Sequence, residues 1–131
     1  MNKKSSRYRY YKGLYLFASC HDIIIGTLFL FFHVYIYNYF GMNLPPNPAY
    51  LAFGARMTAL FGFFLLMIYR DLEHSAKLIK YAVFVKLASS TIIYCYWFIN
   101  PLYVDMPFRI LGTIDLVFAG LFFESLRHIK K

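Results

Sequence analysis

The chain has 131 residues, of which 60% are hydrophobic, 22% aromatic and 15% charged, with a formal net charge of +8 at pH 7. That balance lies outside the range of ordinary soluble domains and marks a single membrane domain over residues 1–131. No soluble segment is left to carry a groove-reading element, so the positive charge points to anionic lipid at the cytoplasmic face and not to nucleic acid.

In chain order, a basic leader carrying Lys3, Lys4, Arg7, Arg9 and Lys12 precedes an apolar run from Leu14 to Phe40. This run is longer than the apolar core of a signal peptide and has no small-residue cleavage site, so it is expected to stay in the mature protein. The connection "GMNLPPNPA" leads to a second run, Tyr50 to Tyr69. "RDLEHSAK" then leads to a third, Leu78 to Ile99, and "NPLYVDMP" to a fourth, Phe108 to Leu126. Each run reaches the roughly 20 residues needed to cross about 30 Å of hydrocarbon as a helix. Pro45, Pro46, Pro48, Pro101 and Pro107 make the first and third connections compact turns. The expected fold is all-α, an integral membrane four-helix bundle.

Charge orients the spans. Eleven of the 14 basic residues flank the first span, the second connection and the last span, whereas Arg109 alone lies at the opposite ends. The positive-inside rule makes both termini cytoplasmic and the protein a multi-pass protein of the cell inner membrane. Tyr8, Tyr10, Tyr11, Tyr15, Tyr69 and Tyr81 read as an inner aromatic belt. Tyr35, Tyr37, Tyr39, Tyr50, Tyr94, Tyr96, Trp97 and Tyr103 read as an outer one. Cys20 and Cys95 form no CxxC and fall near opposite faces, so they read as buried apolar fillers without a disulfide.

Four ionisable side chains fall inside the spans, one per helix: Asp22, Arg56, Lys86 and Asp115. Their formal charges cancel. Counting about 1.5 Å per residue from the cytoplasmic flank puts Asp22 about 15 Å deep, Lys86 about 9 to 13 Å, Asp115 about 18 Å and Arg56 about 21 Å. Depth therefore pairs Asp22 with Lys86 and Arg56 with Asp115, with a network shared by all four as the alternative. An unpaired charge at mid-span costs about 2.5 to 3.5 kcal/mol on the insertion scale, so a buried charge network is expected to fix which faces point inward.

Helical periodicity adds Gly26, Phe29 and His33 to the stripe of Asp22, and Ser89, Ser90 and Trp97 to the side of Lys86. Gly54, Thr58 and Gly62 form a small-residue ladder that lets another helix approach closely. These positions make up a candidate ligand or packing face. His21, one residue from Asp22, points about 100° away, so the two are not expected to act as one motif. His74 and His128 lie in the second connection and the tail. A bis-histidine haem would need two ligands on facing helices, which His21 and His33 on one helix do not supply. No HExxH, CxxC, phosphate loop or GxSxG is present, so neither a metal site nor soluble-enzyme chemistry is expected.

The stretch "YLAFGARMTALFGFFLLMIYRDLEHSAKLIKYAVFVKLASS" followed by "ILGTIDLVFAGLFF" resembles the small four-helix bacterial membrane proteins grouped as DoxX-like. The likeness lies in a glycine-bearing second helix ending in an Arg-Asp turn (Arg70, Asp71), a third helix with a buried lysine (Lys86) and a fourth with an aspartate (Asp115). The resemblance implies a four-helix bundle of the bacterial inner membrane, and its members include proteins linked to quinone-dependent sulfur oxidation and to membrane oxidoreductase complexes. Three functional readings follow. The first is a non-enzymatic structural or accessory membrane subunit that joins a homo-oligomer or larger complex and needs no cofactor. The second is a small proton-coupled transporter using Asp22 and Asp115. The third is a redox component holding a quinone at the inward polar groups.

Overall fold

The computed structural model describes residues 3–129, with side chains from residue 6 onward. Lys130 and Lys131, and the side chains of Lys3 and Lys4, lie outside the described residues. Four α-helices follow one another: α1 Lys3–Tyr39, α2 Pro48–Arg70, α3 Ala76–Ile99 and α4 Met106–Ile129. A single 3-10 turn, Pro101–Tyr103, separates α3 from α4. Each α-helix is long and apolar enough to cross a membrane. The basic leader is not a separate segment, because α1 runs through it and reaches 37 residues, about 55 Å of helix. Its backbone leaves helical geometry at Phe32 (φ −121°, ψ 16°), which breaks α1 before its last two turns.

The ends are set by local chemistry. After α1, Gly41 takes φ +64°, and the amides of Gly41 and Met42 donate to the carbonyls of Asn38 (3.2 Å) and Tyr37 (2.8 Å). This is the paired 5→2 and 6→1 closure that a left-handed residue permits and a side chain with Cβ resists. Asn47 then accepts from the Ala49 amide (3.0 Å), while Pro48 occupies the first helical position, where its missing N–H costs nothing. At the far end of α3 the same device recurs. Asn100 accepts from the Leu102 amide (3.0 Å) just ahead of Pro101.

The chain divides into two compact units, residues 1–70 and 71–131, each a helical hairpin. In the first, α1 turns a stripe inward at three- and four-residue spacing: Tyr11, Tyr15, Ala18, Ser19, Asp22, Gly26 and Phe29 are buried. Its approach to α2 is close enough to exclude side chains. A Cβ on Gly26 would stand 2.6 Å from the Ala55 carbonyl oxygen and the Ala59 nitrogen. One on Gly62 would stand 2.6 Å from Ile23 Cγ1 and 2.8 Å from the Ser19 carbonyl oxygen.

The second hairpin joins α3 and α4 and buries Ile79, Ala82, Lys86 and Ser90 from α3, and Gly112, Phe118, Ala119, Phe122 and Leu126 from α4. Phe118 and Phe122 stack at 5.8 Å. Three tyrosines depart from the aromatic belts: Tyr11 (4% exposed), Tyr15 (0%) and Tyr37 (6%) are core residues. Tyr11 and Tyr15 share the Ala18 and Asp22 face of α1, and facing decides burial where proximity to a membrane boundary does not. Tyr35, Tyr39, Tyr50, Tyr81 and Tyr103 are exposed, as a belt requires.

Candidate functional site

Two polar clusters interrupt the apolar helices, one in each hairpin. In the second hairpin, Lys86 Nζ donates to Asp115 Oδ1 at 2.6 Å, and Ser89 Oγ donates to the other carboxylate oxygen at 2.8 Å. Lys86 sits four residues below Ser90 on the face that α3 turns to α4, which is why its side chain is only 4% exposed and that of Asp115 16%. The ammonium also lies 5.5 Å from the centre of the Phe118 ring, adding a cation–π contact to the ion pair. Ser90 Oγ reaches both the Lys86 carbonyl and the Gly112 carbonyl at 2.9 Å. The Gly112 contact is available because α4 comes close there: a Cβ on Gly112 would meet Ile93 at 3.0 to 3.2 Å.

Depth alone assigned Lys86 to Asp22 and Arg56 to Asp115. Within the second hairpin the structure joins Asp115 to Lys86, because the short 100–105 connection makes α3 and α4 antiparallel neighbours whose facing stripes bring 86 and 115 together. Arg56 departs further. It is exposed, and among the described residues it has no ion pair. It stands on α2 with Phe53 and Leu60, which are 66% and 60% exposed, on the side away from the Ala55 and Gly62 contact with α1.

In the first hairpin Asp22 is 1% exposed, and His21 Nδ1 lies 3.0 Å from its Oδ1. The 100° between adjacent helical positions did not keep the two apart, because the imidazole leans along the helix surface toward the carboxylate. They form one unit. One turn earlier on the same stripe, buried Ser19 donates to the Gly62 carbonyl of α2 at 2.7 Å. Sequence reasoning missed Ser19, although its place three residues before Asp22 was a usable signal.

The small-residue ladder holds only in part. Gly62 is at the contact, but a Cβ on Gly54 would meet nothing within 4 Å, and Thr58 turns its hydroxyl to the Gly54 carbonyl of its own helix (3.0 Å). Ala55 and Ala59 stand where Gly54 and Thr58 were expected, one position and about 100° round the helix. The Asp22 stripe likewise stops at Phe29, and His33, just past the break at Phe32, is half-buried. Trp97 is half-buried too and lies far from Lys86 along α3. It carries the Arg109 guanidinium 4.9 Å from its ring centre, while Arg109 donates through Nε to the Val104 carbonyl at 2.7 Å and through its terminal nitrogen to that of Pro101. That arginine staples the connection between α3 and α4. Cys20 and Cys95 are both free and exposed, not buried fillers.

Outside the apolar segments, His74 Nδ1 lies 2.8 Å from Asp71 Oδ1 in the connection between α2 and α3. The hydrogen bond from His74 holds the Asp71 carboxyl below its ordinary value. The same bond to Asp71, aided by the charges of Asp71 and Glu73, holds the His74 imidazole above its own.

Among the described residues, no three His, Cys, Asp or Glu side chains gather as metal ligands. Nor does any buried side-chain nitrogen or oxygen there lack a hydrogen-bond partner. What the arrangement does chemically is hold one lysine–carboxylate–serine cluster and one histidine-bonded buried carboxylate. The class so defined is, over the described residues, an all-α chain of four helices, each able by length and composition to cross a membrane, with a polar cluster in each hairpin. Comparison with protein-family models, curated proteins and solved structures found no match.

Proposed function

We propose that the chain is a multi-pass protein of the bacterial inner membrane, both termini cytoplasmic, that acts without catalysis as a structural or accessory subunit of a homo-oligomer or larger membrane complex. The DoxX-like resemblance belongs to the same proposal. The observation that carries it is the saturation of the polar groups. Among the described residues no buried side-chain nitrogen or oxygen lacks a partner, Lys86 and Ser89 both donate to Asp115, and Ser90 donates to the Lys86 and Gly112 carbonyls, so these groups serve to specify a packing in an apolar medium. The exposed surface also supports the reading. Phe31, Phe53, Phe84 and Phe98 are each 66% or more exposed, a surface suited to lipid or to other helices and costly in water. Gentle extraction from native membrane followed by intact mass measurement tests the role, with the expected result a stoichiometric complex. A bare monomer recovered under conditions that preserve other membrane complexes refutes it.

One observation favours proton-coupled transport as a second reading: Asp22 is almost wholly buried and bonded to a histidine whose side chain is 18% exposed, an arrangement through which a proton can pass from an accessible imidazole to a carboxylate. Proton flux into liposomes that is abolished by Asp22→Asn without loss of folded protein supports this reading over the first.

A further inference from the structure

Lys77, Lys80, Tyr81 and Phe84 line an open groove of about 480 Å³ on α3. Their spacing of three, four and seven residues puts them on one face of the helix, and all four are exposed. The size falls within the range of small-ligand clefts, about 300 to 1,000 Å³, but the groove is open along one side, which suits a molecule held by one flank.

The chemistry changes along the groove in a fixed order. Two ammonium groups stand in the first two turns of α3, and neither has an ion pair among the described residues. Tyr81, 65% exposed, follows, and then Phe84, 69% exposed. Phe84 lies seven residues from Lys77, about 10 Å further along the axis. Ala88, the next position on this face, carries only a methyl group and is half-buried. A cationic end, an aromatic hydroxyl and an exposed apolar ring succeed one another in the order in which a phospholipid presents its phosphate, its ester region and its acyl chain. A free phosphate would use only the lysines and leave Tyr81 and Phe84 without a role.

We propose that this groove is a binding site for one anionic phospholipid, its phosphodiester held between Lys77 and Lys80 and one acyl chain lying over Phe84 toward Ala88. The inference rests on the reading that the helices sit in a bilayer, and it goes beyond it by naming a single site and selecting an anionic headgroup over a zwitterionic one. Zwitterionic phosphatidylcholine brings its own cation to the two lysines, whereas phosphatidylglycerol leaves its phosphate charge uncompensated and fits them.

The test equilibrates the purified full chain in mixed micelles of phosphatidylglycerol and phosphatidylcholine and weighs the retained lipid by native mass spectrometry. The wild type is expected to keep one phosphatidylglycerol, and K77Q/K80Q to weaken that retention about tenfold or more. R7Q/R9Q, which removes the same charge from α1, is expected to leave it unchanged. Equal loss in both double variants, or equal retention of the two lipids by the wild type, overturns the site. A second measurement needs no variant: in phosphatidylglycerol vesicles the acetylation of Lys77 and Lys80 is expected to slow several-fold relative to phosphatidylcholine vesicles, with Lys12 unaffected. Uniform slowing of all three overturns the proposal. The underlying membrane reading fails separately if the chain leaves native membranes in an alkaline wash without detergent.

Discussion

The Lys86–Asp115 pair offers the most direct measurement of what the buried charges do. Lys86→Met removes the cation and leaves Asp115, 16% exposed, with only the Ser89 hydroxyl at 2.8 Å. Asp115→Leu leaves Lys86, 4% exposed, with the Phe118 ring as its other contact in the hairpin. Breaking a buried ion pair from one side costs about 3 to 5 kcal/mol, because the remaining charge stays desolvated. The double change removes both charges, restores apolar packing and is expected to recover at least half of the summed loss. Ser89 then has the carbonyl one turn back as an acceptor, as Ser in helices commonly does. The coupling energy across the cycle is therefore about 2 kcal/mol or more. Reversible unfolding of the four proteins in a mixed-detergent titration measures it directly. Additivity within about 0.5 kcal/mol would falsify the claim that 86 and 115 act as one structural unit.

Further outcomes follow from the same geometry. Gly26→Ala and Gly62→Ala each drive a methyl to 2.6 Å from a neighbouring atom of the hairpin, and each is expected to cost about 1 to 3 kcal/mol in the same titration. Gly54→Ala, with open space around its Cβ, is expected to be neutral or to stabilise by up to about 1 kcal/mol; equal losses at the three sites would rule out the close approach of α1 and α2. The Asp71–His74 contact should appear as an imidazole titration midpoint above that of a free histidine by NMR, falling back on Asp71→Asn. Since His74 is raised and Asp71 lowered, its small contribution is full between the ordinary carboxylate and ordinary imidazole values. It is lost as pH rises through the folded value of His74, and equally as pH falls through that of Asp71. A midpoint unmoved by Asp71→Asn would remove that contact from the structure in solution. Single cysteines at 47 and 105, in a chain carrying Cys20→Ala and Cys95→Ala, are expected to label from outside the cell and one at 73 only after permeabilisation; the reverse pattern inverts the topology.

Four helices and their connections could be read from the chain because the signals are local. Runs of about 20 apolar residues, prolines at 48, 101 and 107, and asparagines at 47 and 100 act through their immediate neighbours. The helix ends accordingly lie within a few residues of expectation, except that α1 also takes in the basic leader, where nothing in the sequence opposes helix. Depth along each helix is a local quantity too, and it singled out Asp22, Lys86 and Asp115.

Pairing is not local. Whether a carboxylate on α4 meets Lys86 depends on the azimuth of two helices, and the α3–α4 hairpin sets that azimuth so that Asp115, which the depth count had matched to Arg56, accepts a hydrogen bond from it. The same reason separates Gly62, where a Cβ would run into Ser19 and Ile23, from Gly54, where it would meet nothing within 4 Å, although four-residue spacing treats them alike. A rotation of 100° decides whether a glycine is a contact or a surface, and the lean of one imidazole joins His21 to Asp22 where the helical wheel parts them. Composition and spacing determined that these four helices are apolar and carry charges at their middles. Only the packing of each hairpin decided which of those charges are partnered inside it, and that Arg56 is left on the outside.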